Sequence, residues 1–248
     1  MEGGIPAGNV VLIAGESGTM KSALAYHMAF ENARRENHRA LYVTLNQPRS
    51  NLVRDMEGLG MRLDAVDDRL AVADLGLLRM SMRKELRTNS WTDVIKMYSQ
   101  NLKLSVGYDL LILDSLSVLE TLSGFRNPRE ELFQFYEWLR GLDVTTILSY
   151  ETIAGDIEFG IFGEDYLADG IIHMMMVKVN EDTIQRRIRI VKMRSTNHST
   201  NFFSLIVSRD GFRVARVIAP VEKLSQPQSA KPDPTKLLPR PDWVEHER

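Results

Sequence analysis

Near the N-terminus a short apolar run, VVLIA at residues 10–14, leads into GESGTMKS at residues 15–22 and then into SALAYHMAFENARREN. This succession narrows the fold more than any other feature of the chain. A short β-branched run bounded by glycine predicts a strand buried on both faces, as in a parallel sheet. Leu24, His27, Met28 and Ala29 then fall at helical spacing before the chain turns polar, so a helix follows the loop. A strand, a Gly-rich turn and a helix N-terminus make an anion site, because free backbone N–H groups converge and the helix dipole favours negative charge. The phosphate-loop pattern G-x-x-x-x-G-K-[ST] is met except that Met20 stands where the second glycine belongs.

In such a loop Lys21 reaches the β- and γ-phosphates and Ser22 holds Mg²⁺, while Gly15, Glu16, Ser17, Gly18, Thr19 and Met20 form the cradle. Met20 is tolerable there if its φ is negative, with its N–H still aimed at phosphate and its side chain turned away. Downstream, YDLLILDS at 108–115 is an apolar strand ending in Asp114, which suits the Walker B role of holding the metal through water. The ligands expected from these motifs are therefore a nucleotide and Mg²⁺.

The remaining chain extends this alternation. ALYVTL at 40–45, LAVA at 70–73 and VTTILSYE at 144–151 read as strands. Residues 49–61 (Leu52, Val53 and Met56 inward), 91–104 (Trp91, Val94, Ile95, Met97, Tyr98 and Leu102 its apolar set) and 128–140 read as helices, and residues 119–130 as a loop. Strands and helices in alternation predict an α/β fold with a mostly parallel sheet. The last third differs. Strands at 170–179 and 183–195 leave room only for a hairpin at Asn180, Glu181 and Asp182, and a further strand and turn follow at 202–214, giving an antiparallel extension. Residues 1–220 are read as one domain and 221–248, rich in Pro, Ser and Lys, as a disordered tail.

Composition removes several function classes. The chain has 248 residues, a formal charge of −2 and no cysteine. Disulfides, thiolate metal sites and thiol nucleophiles are excluded. The near-neutral charge gives no global pull toward nucleic acid or an anionic membrane. The N-terminus lacks the basic flank and long apolar run of a signal peptide, and no apolar run spans a bilayer, so a cytoplasmic protein without membrane insertion is expected.

These residues carry a resemblance. GGIPAGNVVLIAGESGTMKS, LYVTLNQPRSNLVRDMEGLGM, YDLLILDSLSVL and GEDYLADGIIHM followed by RRIRIVKMRSTNHS resemble, in order, the start, second strand, Walker B strand and later strands of a KaiC-like, RecA-superfamily P-loop ATPase. The resemblance covers about residues 3–214 and implies a RecA-like fold and hexameric rings that bind ATP between subunits. It places Lys192, Met193, Arg194, Thr196 and His198 on the nucleotide of the neighbouring subunit, with Ser195 in place of the family's glycine. In Arg187, Ile188, Arg189 and Ile190, basic and apolar residues alternate, which predicts a strand with one packed and one positive face.

Two departures bear on mechanism. Hydrolytic members end the second strand in paired glutamates, one of which orients or deprotonates the attacking water; this chain has Asn46 and Gln47. An amide can orient water but cannot accept its proton, and loss of a positioned general base costs roughly 10²–10⁴ in rate. Glu151, at the end of the SYE strand, is the best substitute carboxylate. The stretch GEDYLADG carries no Ser-Thr pair to receive phosphate, so autokinase activity is not expected. The expectation is an ATP-binding regulatory or signalling switch, a homo-oligomer, hexameric by resemblance, with slow or no hydrolysis and an unidentified protein partner. The alternative is an active RecA-type ATPase acting on DNA or a protein partner.

Overall fold

A computed structural model describes residues 1–35, 38–76, 91–152, 159–160, 162–208 and 211–217. The segment read from sequence as a tail lies outside the described residues. Nine strands form one sheet in the order β3-β2-β4-β5-β1-β6-β7-β8-β9. Strands β1 (Val10–Gly15), β2 (Ala40–Thr44), β3 (Leu70–Asp74), β4 (Leu110–Asp114), β5 (Thr145–Glu151) and β6 (Gly170–Lys178) run parallel. Strands β7 (Ile184–Met193), β8 (Phe203–Ser208) and β9 (Gly211–Arg216) extend the sheet antiparallel. The hairpin between β6 and β7 closes where Asp182 N–H donates to Asn180 Oδ1 at 3.1 Å.

Helices cover both faces of the parallel half, which is why its strands are built on continuous apolar runs rather than on alternation. Helix α1 (Lys21–Ala33) packs on one face through Ala25, Tyr26 and Ala29, against Val11, Ile13 and Ile112. Helices α3 (Trp91–Ser105), α4 (Leu116–Ser123) and α5 (Pro128–Gly141) contribute to the core of the opposite face through Ile95, Leu119 and Phe135. Helix α2 (Arg49–Gly58) buries Leu52 and Met56. A short helix α6 (Glu164–Leu167) precedes β6.

The structure corrects three sequence expectations. Residues 119–123, read as the start of a loop over 119–130, belong to helix α4; the Ser115 hydroxyl accepts from Val118 N–H and caps it, and Gly124 ends it in the left-handed conformation. Met97, assigned to the apolar face of α3, is 54% exposed. Arg187, assigned to a positive strand face, is only 2% exposed, and the neighbouring Arg189 guanidinium lies 4.8 Å over the Phe202 ring. That face of β7 is covered, because Phe202 and His173 pack across it.

Candidate functional site

Parallel register makes the site. Gly15 pairs with Glu151 and with Met174, and Thr44 pairs with Asp114, so the C-terminal ends of β1, β2, β4 and β5 share one sheet edge. The loop at 15–22 leaves β1 at that edge and enters α1. Gly15 is required by close approach, since a side chain there would run into the Met174 carbonyl oxygen. The Glu16 carboxylate accepts from Met176 N–H at 2.8 Å, which pins the loop to β6. Thr19 is buried, and its hydroxyl donates to the Glu16 carbonyl at 2.8 Å. No side chain caps the start of α1, which leaves its first-turn N–H groups for an anion.

A cleft of about 310 Å³ opens beside the loop, lined by Ser17, Gly18, Met20, Lys21, Ser22, Asn46, Asp114, Ser115, Ser149 and Glu151, among others. Lys21 Nζ donates to the Glu16 carbonyl at 2.9 Å. Burial lowers the Lys21 pKa, against the opposing pull of Glu151, Asp114 and Glu16. The half-buried Lys21 ammonium lines the cleft beside the loop, where it can meet a phosphate.

Met20 adopts φ 74 and ψ 35, the left-handed region. The condition set from sequence for tolerating Met20, a negative φ, is therefore not met. The turn keeps the conformation that the missing glycine would have taken, and Met20 adopts it at a cost of roughly 1–2 kcal/mol. Ser195 repeats the pattern: it stands in the family's other glycine position and has φ 63.

Asp114 is 1% exposed and sits on the α1 face of the sheet. Tyr42 Oη donates to its Oδ2 at 2.7 Å, and Ser149 Oγ donates to its Oδ1. Burial and then the Asp114 charge push the Tyr42 phenol well above its ordinary range, so it remains a donor. Ser22 and Asp114 are hard oxygen donors facing one cleft, which fits Mg²⁺ and not a thiophilic metal. Among the described residues no group of three or more His, Asp or Glu side chains gathers as a further metal site.

The residues expected at the glutamate positions separate. Asn46 lines the cleft, with Ser115 Oγ donating to its Oδ1 at 3.4 Å. Gln47 is not among the lining residues; its backbone closes a turn on the Thr44 hydroxyl, which its carbonyl accepts at 2.9 Å. Glu151 lines the same cleft. Lys192, Met193, Arg194, Thr196 and His198 lie elsewhere. Met193 pairs with Gly170, which pairs with Val11, so this segment is at the sheet edge opposite the loop. Lys192 Nζ donates to the carbonyls of Asp165 and Ala168 at 3.0 and 2.7 Å. Arg194 Nη1 meets Asp169 Oδ1 at 2.6 Å. Thr196 Oγ1 donates to the Glu2 carbonyl, and His198 Nδ1 lies 3.3 Å from the Thr196 carbonyl.

Sequence reasoning missed Tyr42 and Ser149. Period-two alternation puts both on the Asp114 face, but only the strand order β2-β4-β5 makes them its neighbours.

A parallel sheet whose first strand turns through a Gly-rich loop into an uncapped helix, with a buried aspartate at the same edge, defines a P-loop nucleotide-binding protein of RecA-like fold. Comparison with known proteins narrows this. The family described as "ATPase: KaiC" matches residues 1–217. The circadian clock oscillator protein KaiC 1 of Synechocystis is 24% identical over 218 residues, 86% of this chain and 41% of that protein. The chain spans about two fifths of the length of such clock relatives. A UPF0273 protein of Methanopyrus kandleri is 27% identical over 221 residues, 86% of each chain. The crystal structure of a KaiC-like protein from Pyrococcus horikoshii superposes with a TM-score of 0.73 at 25% identity, covering 86% of this chain and 92% of that one. The chain belongs to the KaiC ATPase family. No described helix is long and apolar enough to cross a membrane.

Proposed function

We propose that this protein is a nucleotide-gated assembly switch. It binds Mg-ATP in the cleft between the 15–22 loop and Asp114 and assembles into a homo-oligomeric, hexameric ring with nucleotide between subunits. Its hydrolysis is slow, and the ATP-bound ring docks a protein partner as a cytoplasmic signalling element. Lys21 carries the phosphate charge, Ser22 and Asp114 hold the metal, the latter through water, and the metal when bound neutralises phosphate charge.

The observation that carries this reading is the place of Asn46. It lines the cleft beside Asp114 and Ser115, where the attacking water would need a proton acceptor, and it offers an amide. The position of the 192–198 segment supports assembly. It sits at the sheet edge opposite the loop of its own chain, so any contact it makes with ATP is made to a neighbour's.

Light scattering of the full chain with and without Mg-ATP, with released phosphate read from the same samples, tests the proposal. Assembly with almost no phosphate release is the expected result. An unchanged mass would overturn the switch. Brisk release abolished by Glu151→Gln would establish instead an active ATPase, which the presence of Glu151 in the same cleft favours as the second reading.

A further inference from the structure

We infer that Tyr42 and Ser149 are positioning residues that set how strongly the cleft takes a divalent metal, by clamping the Asp114 carboxylate from both sides. The inference rests on the proposed reading of the cleft as a Mg-ATP site. Each carboxylate oxygen has one hydroxyl donor: Tyr42 Oη at 2.7 Å on Oδ2, and Ser149 Oγ on Oδ1. Bonds to an ionised acceptor are about twice as strong as neutral ones. Held at both oxygens and 1% exposed, the carboxylate is fixed in orientation, and its remaining lone pairs would be offered to a metal's water without rearrangement.

Tyr42 does a second thing. Its hydroxyl also lies 3.5 Å from the backbone carbonyl oxygen of Ser22, so one phenol reaches Asp114 and the backbone of the residue whose hydroxyl is expected on the metal. The ring is fully buried and packs on Tyr26 at 5.5 Å. A phenylalanine would fill that core equally well, and a buried hydroxyl without a partner is costly. The Tyr42 hydroxyl is offset by the partner it finds in Asp114. Ser149 is likewise a fully buried polar residue, set between the apolar Leu148 and Tyr150. Outer-shell partners of this kind typically change metal affinity 10–100-fold when removed.

The test uses the full chain and a fluorescent ATP analogue, titrated with Mg²⁺ and, separately, measured in EDTA. Tyr42→Phe and Ser149→Ala are each expected to raise the Mg²⁺ concentration for half-maximal binding at least tenfold. Nucleotide binding in EDTA should stay within about twofold of the parent, since the loop is untouched, and each melting temperature should remain within a few degrees. Unaltered Mg²⁺ dependence in both folded variants overturns the clamp while leaving the Mg-ATP reading intact. Equal loss of binding with and without metal also overturns it, by showing a structural role. A parent protein with no metal-dependent binding at all sinks the reading and the clamp together.

Discussion

Inside the cleft the Ser115 hydroxyl donates to the Asn46 side-chain oxygen at 3.4 Å. Asn46 therefore offers the cleft an amide whose oxygen already accepts from Ser115 and whose NH₂ can only donate. The same Ser115 oxygen accepts from Val118 N–H and caps α4, so the amide is held by a residue that is itself fixed. Asn46→Glu is expected to place a proton acceptor there and raise phosphate release by at least tenfold, toward the roughly 10²–10⁴ of a positioned base. A colorimetric phosphate assay at saturating Mg-ATP checks it. An unchanged rate would show that Asn46 is not what limits turnover.

Met20 holds a left-handed conformation at the start of α1. Met20→Gly removes strain of roughly 1–2 kcal/mol but loosens the unfolded chain and loses partly buried thioether contact, so its net stability change should lie within about 1 kcal/mol. Met20→Val adds a β-branched side chain at positive φ and should destabilise by about 1–2 kcal/mol more than the glycine variant. Chemical denaturation separates the two. ATP binding should survive in the glycine variant and fall in the valine variant.

Glu120 on α4 and Glu164 on α6 form an acidic pair between helices. Glu164 is fully buried, and its Oε2 accepts from Phe162 N–H at 2.8 Å. Burial first, and then the Glu164 carboxylate beside it, push the Glu120 carboxyl up to about 9. The folded protein therefore keeps a proton that the unfolded chain releases near the ordinary value of 4.5. Its contribution to stability is complete below that value and declines as pH rises, until it is gone above about 9. Melting temperature should fall across this window in the parent, and Glu120→Gln should flatten the fall. The Tyr136 phenol lies near both carboxylates; burial first, and then Glu164 and Glu120, hold it well above its ordinary range.

Among the described residues the one hydrogen-bond partner of the His198 ring is the nearby Thr196 carbonyl at 3.3 Å, so the side chain is little engaged in its own fold. Arg194, by contrast, pairs with Asp169, which also accepts from Val10 N–H at 3.0 Å. His198→Ala should leave the melting temperature of the nucleotide-free protein unchanged and raise the ATP concentration needed for assembly several-fold. Arg194→Ala should lower both stability and assembly. Light scattering across an ATP titration distinguishes a role across the interface from one within the subunit.

The chain's local chemistry determined most of the scaffold. VVLIA, ALYV and LLIL are unbroken apolar runs because both faces of their strands are covered, and that pattern points to a parallel sheet. The 15–22 loop and Asp114 were legible for a related reason: a phosphate cradle needs glycine, lysine and a helix start in one unbroken stretch. Helix α4 was hidden because its eight residues follow a strand directly, and its cap, Ser115, reads as part of that strand. The φ of Met20 could not be read from its side chain either. The loop is pinned at Glu16 and at Thr19, and the backbone between these anchors and α1 must turn left-handed whatever residue is there. Above all, the sequence could name Asp114 but not its partners. Tyr42, Asp114 and Ser149 are far apart in the chain and meet because β2, β4 and β5 are neighbours in register. Strand order is set by the packing of the whole core, and that was decided only in three dimensions.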